Sequence, residues 1–251
     1  MAVSNVNASN DGSLYLNNAD YATVRNASVA SSLYTTGIFV GQDKGAVYAI
    51  YRGFLTFAIP EMSDITSCVL HLDGSADYST TDFDLYIVSS TYSNPLVLED
   101  YDLIGSTPYN DTWNSSSYSA GDNALTFNAT GLAAVLAAQG TSLRFALRSK
   151  KDVDATAPTN IEALKFTAGQ NAYLTITYTE PPIEETVEAT GEGGVEVGIS
   201  LTHPIEATGE GEVSVGIPVE VAGGIALSNS EIITLGSLYL NSEISGLITR
   251  Y

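Results

Sequence analysis

The chain of 251 residues carries one cysteine, one tryptophan, two histidines and nine lysines and arginines. A single thiol, Cys68, excludes an intrachain disulfide and a thiolate-bound metal cluster. Its place in an alternating strand marks it as an inert buried thiol. Of the histidines, His71 lies on a strand and His203 in a Thr-His-Pro connection; neither belongs to a metalloprotease motif, and no serine sits in a nucleophile elbow. No catalytic residue is assigned, and an enzyme is not expected. Nine cations against 29 acids leave a net charge of -20, which excludes the cationic grip that nucleic acid requires and disfavours an anionic membrane. No stretch approaches the roughly 20 apolar residues of a membrane span, and the opening MAVSNVNASNDGS lacks the basic flank and apolar run of a secretory signal. Charged residues make up 15%, below the usual share of roughly 25%. The polar surface is therefore expected to be Ser, Thr, Asn, Gly and Tyr, as on exposed β-sheets.

What the chain has in quantity is alternation. Leu55, Phe57 and Ile59 share one face of a first segment, and Cys68, Leu70 and Leu72 share one face of a second, with a turn around Pro60 between them. Thr56, Ala58 and His71 are expected to point away from the core. Leu14 to Leu16, Tyr21 to Val24 and Gly37 to Val40 precede this pair as short apolar pieces. Phe83, Leu85 and Ile87 follow, then a Tyr- and Asn-rich loop from Tyr92 to Asn123, then alternating segments at Leu143 to Leu147, Leu164 to Phe166 and Leu174 to Ile176. Short strands between turn-rich linkers predict an all-β chain, a jelly-roll-like antiparallel β-sandwich. One short helix is expected at Thr130 to Gly140, capped by Thr130 and stopped by Gly140.

Composition shifts at Glu180-Pro181-Pro182. Beyond it the acids are all Glu and Arg250 is the sole cation. Two successive prolines make a stiff, extended link, so the sandwich is placed at 1–180 and a repeat-containing, β-rich C-terminal domain at 183–251. The stretch from Val187 to Ser200, VEATGEGGVEVGIS, recurs from Ile205 to Pro218 as IEATGEGEVSVGIP. Val195, Val197 and Ile199 in one copy, and Val213, Val215 and Ile217 in the other, form an apolar face that must find a cover. These six residues are the predicted assembly surface.

Arg52-Gly-Phe-Leu-Thr-Phe57, then Ser67-Cys-Val-Leu-His-Leu72 after a proline-containing turn, followed by Trp113, Phe127-Asn-Ala-Thr130 and the closing strand Tyr173-Leu-Thr-Ile-Thr-Tyr178, resemble the DNRLRE-type β-sandwich modules of secreted and cell-surface proteins. That likeness spans about residues 14–178 and implies a fold close to carbohydrate-binding jelly rolls. The chain departs from it in lacking most of the tryptophans around Trp113. The Gly/Glu repeat resembles strand-repeat segments of phage and virus structural proteins, which implies assembly through shared strands.

Tyr109, Trp113 and Tyr118 form the candidate ligand site: rings in a loop offer flat faces for sugar stacking, and Asn114 can bond hydroxyls. The alternative is that Trp113 caps the core beneath that loop. Asp73 with Asp77, Glu99 with Asp100 and Asp102, and Asp152 with Asp154 place oxygen ligands in or beside loops, where a structural calcium ion would bind, although simple turn chemistry also explains them. Cations gathered between Arg144 and Lys165 either receive a neighbour's Glu-rich tail or guard a mixed-charge strand edge. Together these readings favour a homo-oligomeric structural protein of a virion surface, in contact with other particle proteins and a host glycan. The alternative is a secreted or cell-surface carbohydrate-binding module or adhesin.

Overall fold

The computed structural model describes residues 1–169 and 171–179. The elements, in chain order, are β1 (Ala2–Asn18), α1 (Tyr21–Asn26), β2 (Ser32–Tyr34), β3 (Gly37–Lys44), β4 (Tyr48–Ala58) and β5 (Ile65–Asp77). Next come β6 (Asp84–Ser90), β7 (Ile104–Pro108), β8 (Trp113–Asn114), β9 (Asp122–Thr126) and α2 (Ala129–Ala137). The last are β10 (Ser142–Ser149), α3 (Lys150–Val153), β11 (Glu162–Thr167) and β12 (Tyr173–Tyr178). Every strand pairing among the described residues is antiparallel.

The long first strand closes the sheet. Its first part pairs with β12, from Ala2 opposite Tyr178 to Asn7 opposite Tyr173. Its second part pairs with β4, from Ala8 opposite Phe57 to Asn18 opposite Tyr48. The path β1–β12–β5–β11–β3–β4 thus returns to β1, and β10, β6 and β7 extend it outward from β4. Between the two layers lies one core that takes Leu55 and Phe57 from β4, Leu70 and Leu72 from β5, and Phe145 and Leu147 from β10. The period-two side-chain alternation of a strand predicts these residues, and they are buried as expected. Phe57 and Phe145 stack with ring centroids 5.4 Å apart.

The opposite face of β4 is also buried, contrary to the expectation that Thr56 points away. Thr56 is only 1% exposed because residues 91–103 fold back over that face, where Tyr92 and Tyr101 pack with Phe54, Val88 and Ala146 in a second core. The hydroxyls of Thr56 and Tyr92 bond to each other. A stretch rich in Tyr and Asn read as an open loop; its tyrosines instead supply a second apolar layer.

Among the described residues three short α-helices replace the single expected one. The predicted helix exists as α2, but its cap is Asn128 rather than Thr130: the Asn128 Oδ1 accepts from Gly131 N at 3.0 Å, while its amide donates to the carbonyls of Pro108 and Asn110, each at 3.1 Å. The helix stops short of the expected Gly140, with Ala138 as its C-cap; Gly140 lies two residues further on at φ 69° and donates to Ile59 O. The segment from Tyr21, read as a short apolar piece, is α1, started by Asp20 accepting from Thr23 N at 2.8 Å. Ser149 starts α3 by accepting from Asp152 N at 3.1 Å. Helices of one turn carry too little periodicity to be read in a sequence. The boundary near residue 180, the repeat domain at 183–251, and Val195, Val197, Ile199, Val213, Val215 and Ile217 lie outside the described residues.

Candidate binding surface

Most of the cations that gather between Arg144 and Lys165 are engaged within the fold. Asp152, 1% exposed, accepts from Arg52 Nε at 2.9 Å and Nη2 at 3.0 Å, and from Arg148 Nε at 2.9 Å. Arg25 joins from α1 by donating to the backbone carbonyls of Asp152 and Val153 at 2.8 and 3.1 Å. The Arg52 guanidinium lies 4.2 Å from the Tyr101 ring centroid and donates to the Tyr101 carbonyl at 2.9 Å. Burial alone would push the Asp152 carboxyl up; the charge of Arg52 and the bonds from Arg148 and Arg52 outweigh it and hold the group at about 2. Arg144 bonds the Tyr92 carbonyl, Lys150 pairs with Asp154, and Lys151 pairs with Glu162. Neither Arg144 nor Lys165 has an ion-pair partner among the described residues; the Lys165 Nζ stands 5.3 Å from the Phe39 ring centroid.

Tyr109, Trp113 and Tyr118 are partly buried and pack against the main core. Among the described residues no ring contact joins any two of them; Tyr118 instead meets Phe166, with centroids 6.1 Å apart. Asn114 starts a short 3-10 turn by accepting from Ser116 N at 3.0 Å, and donates to Asp84 at 2.8 Å. The carboxylates considered for calcium are also placed. Asp100 accepts from Ser93 N and Val97 N, each at 2.8 Å, Asp77 accepts from Ser79 N at 2.8 Å, and Asp152 is held by arginines. Among the described residues no three His, Cys, Asp or Glu side chains are grouped to hold a metal ion.

A different set of rings comes together on the sheet. Tyr15 and Tyr51 stand directly opposite each other on β1 and β4, with centroids 4.8 Å apart. Tyr34 meets Tyr15 at 6.2 Å and Phe39 at 5.1 Å; Phe39 also meets Tyr51 at 5.8 Å and Tyr78 at 6.4 Å. Five rings from β2, β1, β4, β3 and the end of β5 thus form one continuous patch. All are partly exposed, Tyr78 to 50%. Compared with protein-family models and with curated proteins, the chain matches none.

The patch has two polar rims. On one side stands Lys165, directly opposite Phe39 across the β3–β11 pair. On the other stands Asp43, whose Oδ1 is buried with no hydrogen-bond partner among the described residues and whose carboxyl burial pushes up. Burial, then the neighbouring Tyr15, Tyr34, Asp43 and Tyr78, pushes the Tyr51 hydroxyl up to about 12, so it stays a neutral donor at any ordinary pH. Sequence reasoning missed this patch because its members are scattered from residue 15 to residue 78 and meet only through strand register. A small polar cavity lies elsewhere on the β5–β12 face, lined by Asp73, Asp122, Asn171 and Tyr173. Beside it His71 stacks on Tyr173 with centroids 4.5 Å apart and pairs through Nδ1 with Asp122 at 2.9 Å.

Proposed function

We propose that the chain is a non-enzymatic structural protein of a virion exterior, a decoration, head-fibre or tail-associated protein of a phage-like virus. In this reading the sandwich is the outward module, and the repeat at 183–251 serves assembly as a homo-oligomer. Support comes from how the interior charges are used: Asp152, Arg52, Arg148 and Asp100 bind one another or backbone groups, so they build the fold rather than a reactive site. Among the described residues the most extended exterior feature is the aromatic patch, which suits contact rather than bond-making. In a density gradient of particles from the organism that encodes it, the chain is expected in the particle band. Recovery only from soluble or cell-envelope fractions would overturn this reading.

A second reading, a secreted or cell-surface carbohydrate-binding module or adhesin, is favoured by one observation, the patch itself. Ring faces stack on the C–H faces of a sugar, and Tyr51, Asp43 and Lys165 can bond its hydroxyls. On a glycan array this reading expects specific binding by the full chain, weakened at least about tenfold by Tyr51→Ala, since ~1.4 kcal/mol of lost ring contact is tenfold in affinity. Trp113→Ala, which removes a ring packed on the core, is expected to lower stability and leave that binding in place. Binding that survives Tyr51→Ala but disappears with Trp113→Ala would return the site to the 109–118 loop.

A further inference from the structure

We infer that the first strand pairs with the same strand of a second copy, joining two sandwiches edge to edge. The observation is a strand edge that, among the described residues, is left open where β4 departs. From Ala8 onward β1 has β4 beside it, but β4 ends at Ala58 and the chain turns away through Ile59 and Pro60. Residues 2–7 therefore have β12 on one side and a groove of about 630 Å³ on the other, walled by residues 4–7 and by residues 58–60 and 140–142. The far wall is already satisfied within itself: Ile59 N bonds Thr141 O and Gly140 N bonds Ile59 O, each at 2.9 Å. Among the described residues β1 is then the strand that faces the groove with no other strand paired to that side.

Register says which groups these are. Ala8 N donates to Ala172 O at 2.9 Å, continuing the β1–β12 ladder. In an antiparallel pair, residues that bond a given neighbour alternate, so Ala2, Ser4 and Val6 face β12 while Val3, Asn5 and Asn7 turn their N–H and C=O into the groove. This edge has none of the usual protections: no lysine, no proline and no bulge between Ala2 and Asn7, and Val3 is 62% exposed. None of the groove-lining residues is charged, in a chain of net charge -20. The partner that fits is a neutral, extended strand of the same kind, and the first strand of a second copy carries no carboxylate from Ala2 to Asn7 although the chain as a whole is strongly acidic.

Face matching narrows the geometry. Residues directly opposite in an antiparallel pair lie on the same face, so outward Val3, Asn5 and Asn7 must meet outward residues of the other copy. A two-fold axis at Ser4 meets this condition: it sets Val3 of each copy against Asn5 of the other, and both are residues with free backbone groups. A closed, isologous pair results, and it leaves the aromatic patch of each copy uncovered.

The inference deepens the assembly part of the proposed function but has its own test. By sedimentation and light scattering the full chain is expected at twice its mass of 26.4 kDa. Asn5→Pro, which deletes a groove-facing N–H and no backbone bond to β12, though it also removes the side-chain bond that Asn5 accepts from Thr175, and Val3→Lys, at an exposed position, are each expected to return it to 26.4 kDa. Should Asn5→Pro unfold, Val3→Lys decides. A monomeric wild type, or variants whose mass matches the wild type, overturns the edge pairing. Either outcome leaves the particle gradient free to support or reject the virion reading.

Discussion

Asp152→Asn is expected to destabilise the sandwich by about 3–5 kcal/mol at pH 7, the range for breaking a buried ion pair by removing one partner. The carboxylate is the single acid between the guanidiniums of Arg52 and Arg148, with exposures of 1%, 2% and 6% respectively. An amide of the same shape would leave two buried cations with no negative charge between them, and its NH2 group would face Arg52 Nη2, donor against donor, even with its oxygen on the two Nε groups. The same contact ties α1, α3 and the 91–103 segment to β4 and β10, so the second core should loosen with it. The pH dependence follows from the sign of the shift. The folded carboxyl is held at about 2, below its ordinary 3.8. Its contribution, on the order of 2 kcal/mol, is complete above about pH 4 and disappears as pH falls through 2. Urea unfolding of both proteins at pH 7, 4 and 2.5 should therefore show a gap that is constant down to pH 4 and narrows below it. A gap that is small at pH 7, or that widens in acid, would show that Asp152 is not the anchor.

Gly41→Ala should cost about 3 kcal/mol or more, because two penalties act at one residue. Its φ of 123° lies where side-chain-bearing residues are strained, and a Cβ there would stand 1.9 Å from the Glu162 carbonyl oxygen on β11. Backbone cannot yield as the tip of a side chain can, so the Gly41–Ala163 pairing must open. Gly41 lies directly opposite Tyr51 and between Phe39 and Asp43, so the patch should lose its geometry along with the stability. Gly45 is the control: a Cβ there meets nothing within 4 Å, and Gly45→Ala should be nearly neutral. Melting temperatures of the two variants side by side decide the point; equal values would mean that the β3–β11 approach is looser than described.

These two sites show what a sequence can and cannot display. Alternation placed Leu55, Phe57, Cys68, Leu70 and Leu72 inside, because strand period is local and survives without knowledge of the partner strand. Burial of Arg52 and Thr56 depends on a segment some 40 residues away in sequence folding over them, and nothing local to β4 signals that second layer. Arg52 is marked in the sequence only as part of a family-like motif; its partner Asp152, two residues from Asp154, suggests a calcium ligand because a carboxylate carries no mark of the arginines that surround it. Trp113 stands out in the sequence because it is unique, yet its ring packs on the core, whereas the exposed patch is four common tyrosines and Phe39 made distinctive by register. Gly41 and Gly45 look alike in sequence and differ only in what lies across the sheet.

The particle-exterior account is tested most directly by immunogold labelling of intact particles from the encoding organism, with an antibody raised against the sandwich. It predicts gold on the outside of unbroken particles. Gold that appears only after the particles are opened, or only on cell envelopes, would contradict it.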